Sequence, residues 1–242
     1  EQLMKPGELS IADDGTIWVT DAMYKTAFSF SPEGQLVSIL GENVTEPVVG
    51  LGPIAVGPDD SILVGEPAMD RVRVFGTDGA DLGIFSAPDP LDLDFRDDVL
   101  ALGSRSGFAL LDPETTEPVT IVGTFGTGPE QFDTVNGVHI GPDGRVYVTD
   151  AYNNRLSAYE ADGTRLWSVV TGAAGNAVDV TGAEAMAESL LTTAPAALQL
   201  PSDICMDGNG RLVVVDGLDF SISVFSAEDG AFIAKYGAYG FD

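Results

Sequence analysis

Apolar and polar residues alternate along most of this chain in runs of four to six, each run ended by Gly, Pro or an Asp-Gly pair. Period-two alternation puts successive side chains on opposite faces of a strand. Three runs are close copies: Ile17-Trp-Val-Thr-Asp21, Val146-Tyr-Val-Thr-Asp150 and Leu212-Val-Val-Val-Asp216. Ile62-Leu-Val-Gly-Glu66 and Val99-Leu-Ala-Leu-Gly103 are weaker versions. A strand such as Gly137-Val-His-Ile-Gly-Pro142 introduces each copy, and two more strands follow. The copies end 45, 37, 47 and 66 residues apart, counted along the sequence. Four strands recurring every ~40–45 residues predict the blades of a β-propeller.

The units fall near Gly7–Gly41, Gly52–Ala87, Asp89–Gly126, Asn136–Gly172 and Ser202–Gly237. The third has the weakest turn chemistry. Asp14-Gly15, Asp78-Gly79, Asp143-Gly144, Asp162-Gly163, Asn209-Gly210 and Asp229-Gly230 separate strand-like runs, and such pairs predict hairpins with type I′ turns. The long last interval holds an insertion, residues 173–199, in which Ala183–Leu191 has the composition of a short helix. The expectation is one all-β domain over residues 1–242: five four-stranded antiparallel blades, or six if a further blade lies beyond this sequence. Glu1-Gln2-Leu3 stands before Gly7 as Glu130-Gln131-Phe132 stands before Asn136, so the repeat starts and stops in the same linker.

Charge changes the picture more than composition does. Thirty-eight acidic residues against eleven basic give a net charge of −27. Such a surface repels nucleic acid and anionic lipid, and favours a cation, a basic partner or a salty medium. No run approaches the ~20 apolar residues of a membrane-spanning helix. The first residue is Glu1, so upstream sequence is expected to have been removed. A single cysteine, Cys205, forms no internal disulfide, and between Ile204 and Met206 it reads as a small core residue. Asn43-Val44-Thr45 matches a glycosylation acceptor.

The stretch Asn136-Gly-Val-His-Ile-Gly-Pro-Asp-Gly-Arg-Val-Tyr-Val-Thr-Asp-Ala-Tyr-Asn-Asn-Arg-Leu156 resembles the NHL repeat, whose blades read Pro-x-Gly-Ile-Ala-Val-Asp, Gly-x-Leu-Tyr-Val-Ala-Asp and Asn-x-Arg-Ile. Blades one and five match as well, and blade two keeps Asp70-Arg71 where blade four has Asn154-Arg155. The resemblance implies a propeller and leaves function open, because family members range from scaffolds to lyases. Asp21, Asp150 and Asp216 recur from blade to blade. A short carboxylate after a strand binds the backbone N–H groups of the next turn or a nearby Arg such as Arg155. Recurrence therefore assigns them to architecture.

Residues that differ between blades at one repeat position are the better candidates. The middle of each innermost strand gives Ser10, Ala55, Asp92, His139 and Cys205, predicted to lie near the ring axis. Asp89, Asp92, Asn136, His139 and Asp203 then form the candidate polar cluster at one channel mouth. A distant similarity to gluconolactonase-like propellers implies a Glu, an Asn and an Asp around one divalent cation such as calcium. Asn136-Gly137 fits the Asn position, Glu8 adjoins the Glu position, and Asp203 lies one residue past the Asp position, which Ser202 fills. The family's lyases hold metal with several His, and His139 is the one His here.

These residues point to a non-catalytic binding or scaffold propeller, with a protein partner, no cofactor, no nucleic acid and no membrane span, and place it outside the cell, in the periplasm or on the cell surface. The alternative is a metal-assisted hydrolase or lactonase with one divalent cation in the central channel. The 173–199 insertion then serves as an interaction arm or a lid.

Overall fold

A computed structural model describes residues 3–40, 48–171, 177–179 and 198–237. The expected helix at 183–191 and the sequon at 43–45 lie outside them. The first sheet comprises β1 (Pro6–Ile11), β2 (Ile17–Asp21), β3 (Thr26–Phe30) and β4 (Leu36–Ile39). The second comprises β5 (Ile54–Val56), β6 (Ile62–Glu66), β7 (Arg71–Phe75) and β8 (Asp81–Ser86), and the third β9 (Asp92–Arg96), β10 (Val99–Ser104), β11 (Gly107–Leu111) and β12 (Pro118–Val122). A two-residue parallel pair follows, β13 (Thr124–Phe125) with β14 (Gln131–Phe132). The fourth sheet holds β15 (Val135–Ile140), β16 (Val146–Asp150), β17 (Arg155–Tyr159), β18 (Arg165–Thr171) and β19 (Ala177–Asp179). The fifth holds β20 (Pro201–Met206), β21 (Arg211–Asp216), β22 (Ser221–Ser226) and β23 (Phe232–Tyr236).

Each sheet is ordered as the chain runs, so each is an up-and-down meander, and the fold is the five-bladed β-propeller that the repeats predict. Blade four differs in carrying a fifth edge strand from the insertion, with Val170 opposite Val178. Three short 3₁₀ turns, at Pro58–Asp60, Pro67–Met69 and Ala151–Asn153, are the helical segments among the described residues.

The hairpin turns correct the sequence reading. Type I′ needs positive φ at both central residues. In the Asp-Gly turns only the Gly has it, as at Gly15 (φ 86°) and Gly144 (φ 79°). The Ala12–Thr16 hairpin closes through Gly15 N–H to Ala12 C=O and Ala12 N–H to Thr16 C=O, a type I turn followed by a left-handed Gly. The aspartate instead accepts from the N–H two residues on, Thr16 to Asp14 Oδ1 at 2.8 Å. A two-residue turn with both φ positive sits where none was expected, at Asp97 (48°) and Asp98 (61°), between paired Arg96 and Val99.

Two compact units share the chain: Glu1–Ser104 with Leu111–Pro118, and Arg105–Leu110 with Val119–Asp242. In the first, the inner strands β1, β5 and β9 are neighbours. Trp18, Ala27 and Leu40 of blade one pack on Ile54, Ile62, Val64 and Phe75 of blade two. In the second, Tyr147, Leu156, Ala158, Trp167 and Val169 of blade four pack on Ile204, Leu212, Val214 and Phe225 of blade five. Burying each large apolar side chain is worth ~1.5–3 kcal/mol, so blade-to-blade stacking is the main source of cohesion.

Candidate functional site

The recurring strand-end carboxylates act as ties. Asp21, at the end of β2, accepts from Met4 and Lys5 N–H in the preceding linker and from Met23 and Tyr24 N–H in the following turn, at 2.7–3.1 Å. Asp216 does the same with Gln199, Leu200, Leu218 and Asp219. Asp150 accepts from Asp133 N–H (2.8 Å), Asn153 (2.8 Å) and Arg155 (2.5 Å). Arg155 also donates to the carbonyls of Gly128 and Pro129 and lies over the Phe132 ring at 5.3 Å. In blade two the longer Glu66 takes the place of Asp and binds Val49 N–H and Arg71 Nε. Each of these carboxylates joins the linker entering its blade to the turn leaving β2, β6, β16 or β21.

Their protonation follows from these partners. Burial opposes the charge on Asp21, but the four N–H groups outweigh it and hold its carboxyl below the usual range. At Asp150 burial wins over Asn153, Arg155 and Asp133 and pushes the carboxyl up. Burial likewise pushes the Tyr159 hydroxyl up to about 12.

The candidate cluster is divided between the two units. In the first, Asp89 has a left-handed backbone (φ 46°), and its N–H donates to Asp70 Oδ1 at 2.9 Å. Asp92 is buried, and its Oδ1 accepts from the N–H of Leu93 at 2.8 Å. In the second, Asn136 is the extra residue of a bulge between Val135 and Gly137. Asp203 Oδ1 accepts from Ile204 N–H at 2.7 Å. A Cβ on Gly137 would stand 3.0 Å from Asp203 Cα and Ile204 N, so β15 and β20 approach closely at the Asn136-Gly137 step. Among the described residues no group of three or more His, Cys, Asp and Glu side chains is placed to hold a metal ion.

The mid-strand residues do not line the axis. Ser10 Oγ accepts from Val56 N–H of the next blade at 3.1 Å. Ala55 is buried, and His139 shares the blade face of Tyr147, which packs on blade five. An inner strand turns its two sheet faces to its neighbouring blades, so only its backbone edge and its ends border a channel. Cys205 is exposed rather than in the core, on the face of blade five opposite to buried Ile204. Partial burial still pushes its thiol up, with Asp203 and Asp207 adding, which disfavours the nucleophilic thiolate.

The site that sequence reasoning missed lies at the opposite ends of the inner strands in the first unit. A cavity of about 300 Å³ opens there beyond β1, β5 and β9, and its lining includes Ser10, Asp13, Asp60, Asp94, Arg96 and Asp97. The signal was available: the turn after each inner strand carries a doubled acid, Asp13-Asp14, Asp59-Asp60 and Asp97-Asp98. The corresponding turns of blades four and five each carry an Arg beside the acid. Arg145 lies 3.5 Å from Asp143, and Arg211 pairs with Asp207 at 2.5 Å. Thr16 and Ser61 stand at those positions in blades one and two. Four carboxylates therefore face the cavity with Arg96 as the one basic side chain in its lining.

No protein-family model matches the chain, and no curated protein matches it in sequence. Solved structures do match in fold. Virginiamycin B lyase from Staphylococcus aureus superposes with a TM-score of 0.67 at 11% identity, over 100% of this chain and 72% of that one. A streptogramin B lyase gives 0.61 at 14%, over 96% and 68%. A chain of a nidogen/laminin complex gives 0.67 at 14%, over 97% and 80%. At these identities the likeness is one of fold, so this chain shares the β-propeller with lyases and with a chain of the nidogen/laminin complex alike.

Proposed function

We propose that this chain is a non-catalytic binding propeller, built of NHL-type repeats, that takes a basic segment of a protein partner at the acidic cavity of blades one to three. The observation that carries the reading is the cavity itself: about 300 Å³, with Asp13, Asp60, Asp94 and Asp97 around it. A Lys or Arg side chain fits that volume and charge, and −27 overall would draw it in from a distance. Asp94 lies on β9 and the other three acids on the turns after the inner strands, so all are carried by the blades, as suits recognition. A protein partner also fits the fold's occurrence in a nidogen/laminin complex. The reading needs no cofactor and suits a protein outside the cell, in the periplasm or on the cell surface, where acidic surface keeps it dispersed.

The test is fluorescence anisotropy with a labelled lysine- and arginine-rich decapeptide, against a neutral and an acidic peptide. Asp60→Asn with Asp97→Asn keeps both left-handed turns, since Asn tolerates positive φ. Two surface charges at ~1 kcal/mol each predict on the order of tenfold or more weaker binding. Equal affinity in wild type and double variant would overturn the reading. So would a stoichiometric divalent cation in purified protein that supports ester or lactone hydrolysis, which belongs to the alternative reading.

A further inference from the structure

The cavity beyond β1, β5 and β9 is lined by residues of the first unit alone, and a cation stands among its acids. Asp13, Asp60 and Asp97 are exposed, and their carboxylates make no hydrogen bond or ion pair among the described residues. Arg96 is exposed as well. Of the eight Arg in the chain, six pair with a carboxylate, as Arg145 does with Asp143 and Arg211 with Asp207. Arg105 lies over the Phe125 ring at 5.5 Å. Arg96 alone has no ion-pair or ring partner among the described residues, although four aspartates line the same cavity.

The strand itself spaces these charges. Asp94 and Arg96 are alternate residues of β9, so they share one sheet face about 6.5–7 Å apart along the strand. Opposite charges kept apart in one concave site are complementary to a ligand that carries both. The last residue of a protein can be such a ligand. A Lys or Arg there has a cation at the tip of its side chain and an α-carboxylate at the root, separated by the stem. A guanidinium is the preferred receptor for a carboxylate, which it binds through two parallel N–H donors. A cavity of about 300 Å³ is at the small end of ligand pockets, so it admits one terminal residue rather than a length of chain.

We propose that the cavity takes the C-terminal residue of a protein partner, a Lys or Arg with its free α-carboxylate. Arg96 binds the carboxylate, and Asp13, Asp60, Asp94 and Asp97 surround the side-chain cation. This rests on the reading of the cavity as a site for a basic segment, and adds which part of that segment enters. Net charge supplies a contrast in sign. A chain of −27 attracts a C-terminal amide more strongly than the corresponding free acid, which carries one more negative charge. A preference for the free acid must therefore come from a local contact, and Arg96 is the one basic side chain in the lining.

Fluorescence anisotropy at ~0.1 M NaCl, where the Debye length is ~10 Å, tests this with a decapeptide labelled at its N-terminus and ending in Lys. It is used as the free acid and as the C-terminal amide, beside a free acid ending in Leu. The Lys acid should bind on the order of tenfold more tightly than the Lys amide and than the Leu acid. Arg96→Gln should abolish the preference for acid over amide. Asp60→Asn with Asp97→Asn should weaken both Lys peptides and leave that preference in place. The unfolding curve of Arg96→Gln should stay near wild type, as the side chain is exposed. Equal binding of acid and amide would overturn the C-terminal assignment while leaving the basic-segment reading in place. So would an Arg96→Gln variant that binds both more tightly and alike, which shows Arg96 acting only as a repelling charge. A failure of every basic peptide to bind would overturn both. Free lysine is the competitor, and displacement at concentrations near the Kd of the peptide would overturn the protein partner in favour of the free amino acid.

Discussion

Replacing Asp216 by Ala tests whether the strand-end carboxylate holds the blade together. The side chain is buried, and it accepts from Gln199 N–H at 2.5 Å, Leu200 at 3.2 Å, Leu218 at 3.1 Å and Asp219 at 3.2 Å. Removing it leaves four N–H groups without this acceptor. Water can reach the Leu218 turn, whose residues lie at the surface, so those two losses should be small. The linker pair, next to buried Leu198, bears most of the effect. At ~1–2 kcal/mol for each charge-assisted bond lost there, Asp216→Ala should cost about 2–4 kcal/mol. For a chain of this size that is a fall in Tm of roughly 4–16 °C.

The assay is urea unfolding followed by tryptophan fluorescence, because Trp167 packs on blade five. Asp216→Asn keeps one acceptor oxygen and should lose about half as much. Asp229→Ala, in an exposed hairpin of the same blade, removes one bond to Ala231 N–H and should cost about 0.5 kcal/mol. Hydrogen exchange at Gln199 and Leu200 should accelerate in Asp216→Ala ahead of the rest of blade five. A loss below about 1 kcal/mol, or one equal to that of Asp229→Ala, would refute the tie.

Arg155→Lys should cost about 3 kcal/mol in the same assay, because Lys cannot serve Asp150 and the Gly128 and Pro129 carbonyls from one planar fork; a change within error would mean the guanidinium geometry is immaterial. Lys25→Asn should stabilise by up to ~1 kcal/mol, since exposed Lys25 holds φ 56° where Asn154 in blade four holds 51°, and a destabilised variant would show that no strain is stored there. Asp207 is held at about 2, first by its hydrogen bonds to Arg211. A lowered carboxyl contributes stability above its ordinary value near 4 and loses it as pH falls toward 2. Urea midpoints of Asp207→Asn should therefore lie below wild type at pH 5 and converge on it at pH 2, and a constant gap would contradict the assignment.

The fold was legible because its signals are local and repeated. Ile17–Asp21 and Val146–Asp150 are strands with the bounds read from alternation, and β21 adds only Arg211 to Leu212–Asp216. Turn type was less legible. Asp-Gly is compatible with several turns, and the choice depends on how many residues the flanking strands leave unpaired. Blade three looked weakest because Gly103 replaces the strand-end acid and Asp97-Asp98 lacks Gly, yet both aspartates adopt the left-handed conformation without it. Two members of the candidate cluster, Asp92 and His139, were drawn from the premise that one face of an inner strand looks at the axis, whereas Asp89, Asn136 and Asp203 were taken from the positions just before those strands. Ser10, bonded to Val56 N–H, shows that this face looks at the next blade. Three of the cavity's acids, Asp13, Asp60 and Asp97, follow the inner strands, where the search of strand positions did not look, and the fourth, Asp94, lies in β9 two residues past Asp92.

Repetition and variation thus divide the labour in this chain. A carboxylate that returns blade after blade does the same work each time, and Asp21, Asp150 and Asp216 show what that work is: binding a linker to a turn. Function has to be sought where blades differ. After the inner strands, blades four and five set an Arg beside the turn acid, so that Arg145 and Arg211 neutralise Asp143 and Asp207. Blades one and two put Thr16 and Ser61 there and double the acid. Substituting one residue per turn leaves the hairpin intact, because the Asx bond to the backbone persists in both versions, Asp14 to Thr16 and Asp143 to Arg145. The same hairpin frame therefore carries a paired acid in blades four and five and doubled acids in blades one and two, and the second arrangement gives up the stabilising Arg partner that Asp207 has in Arg211.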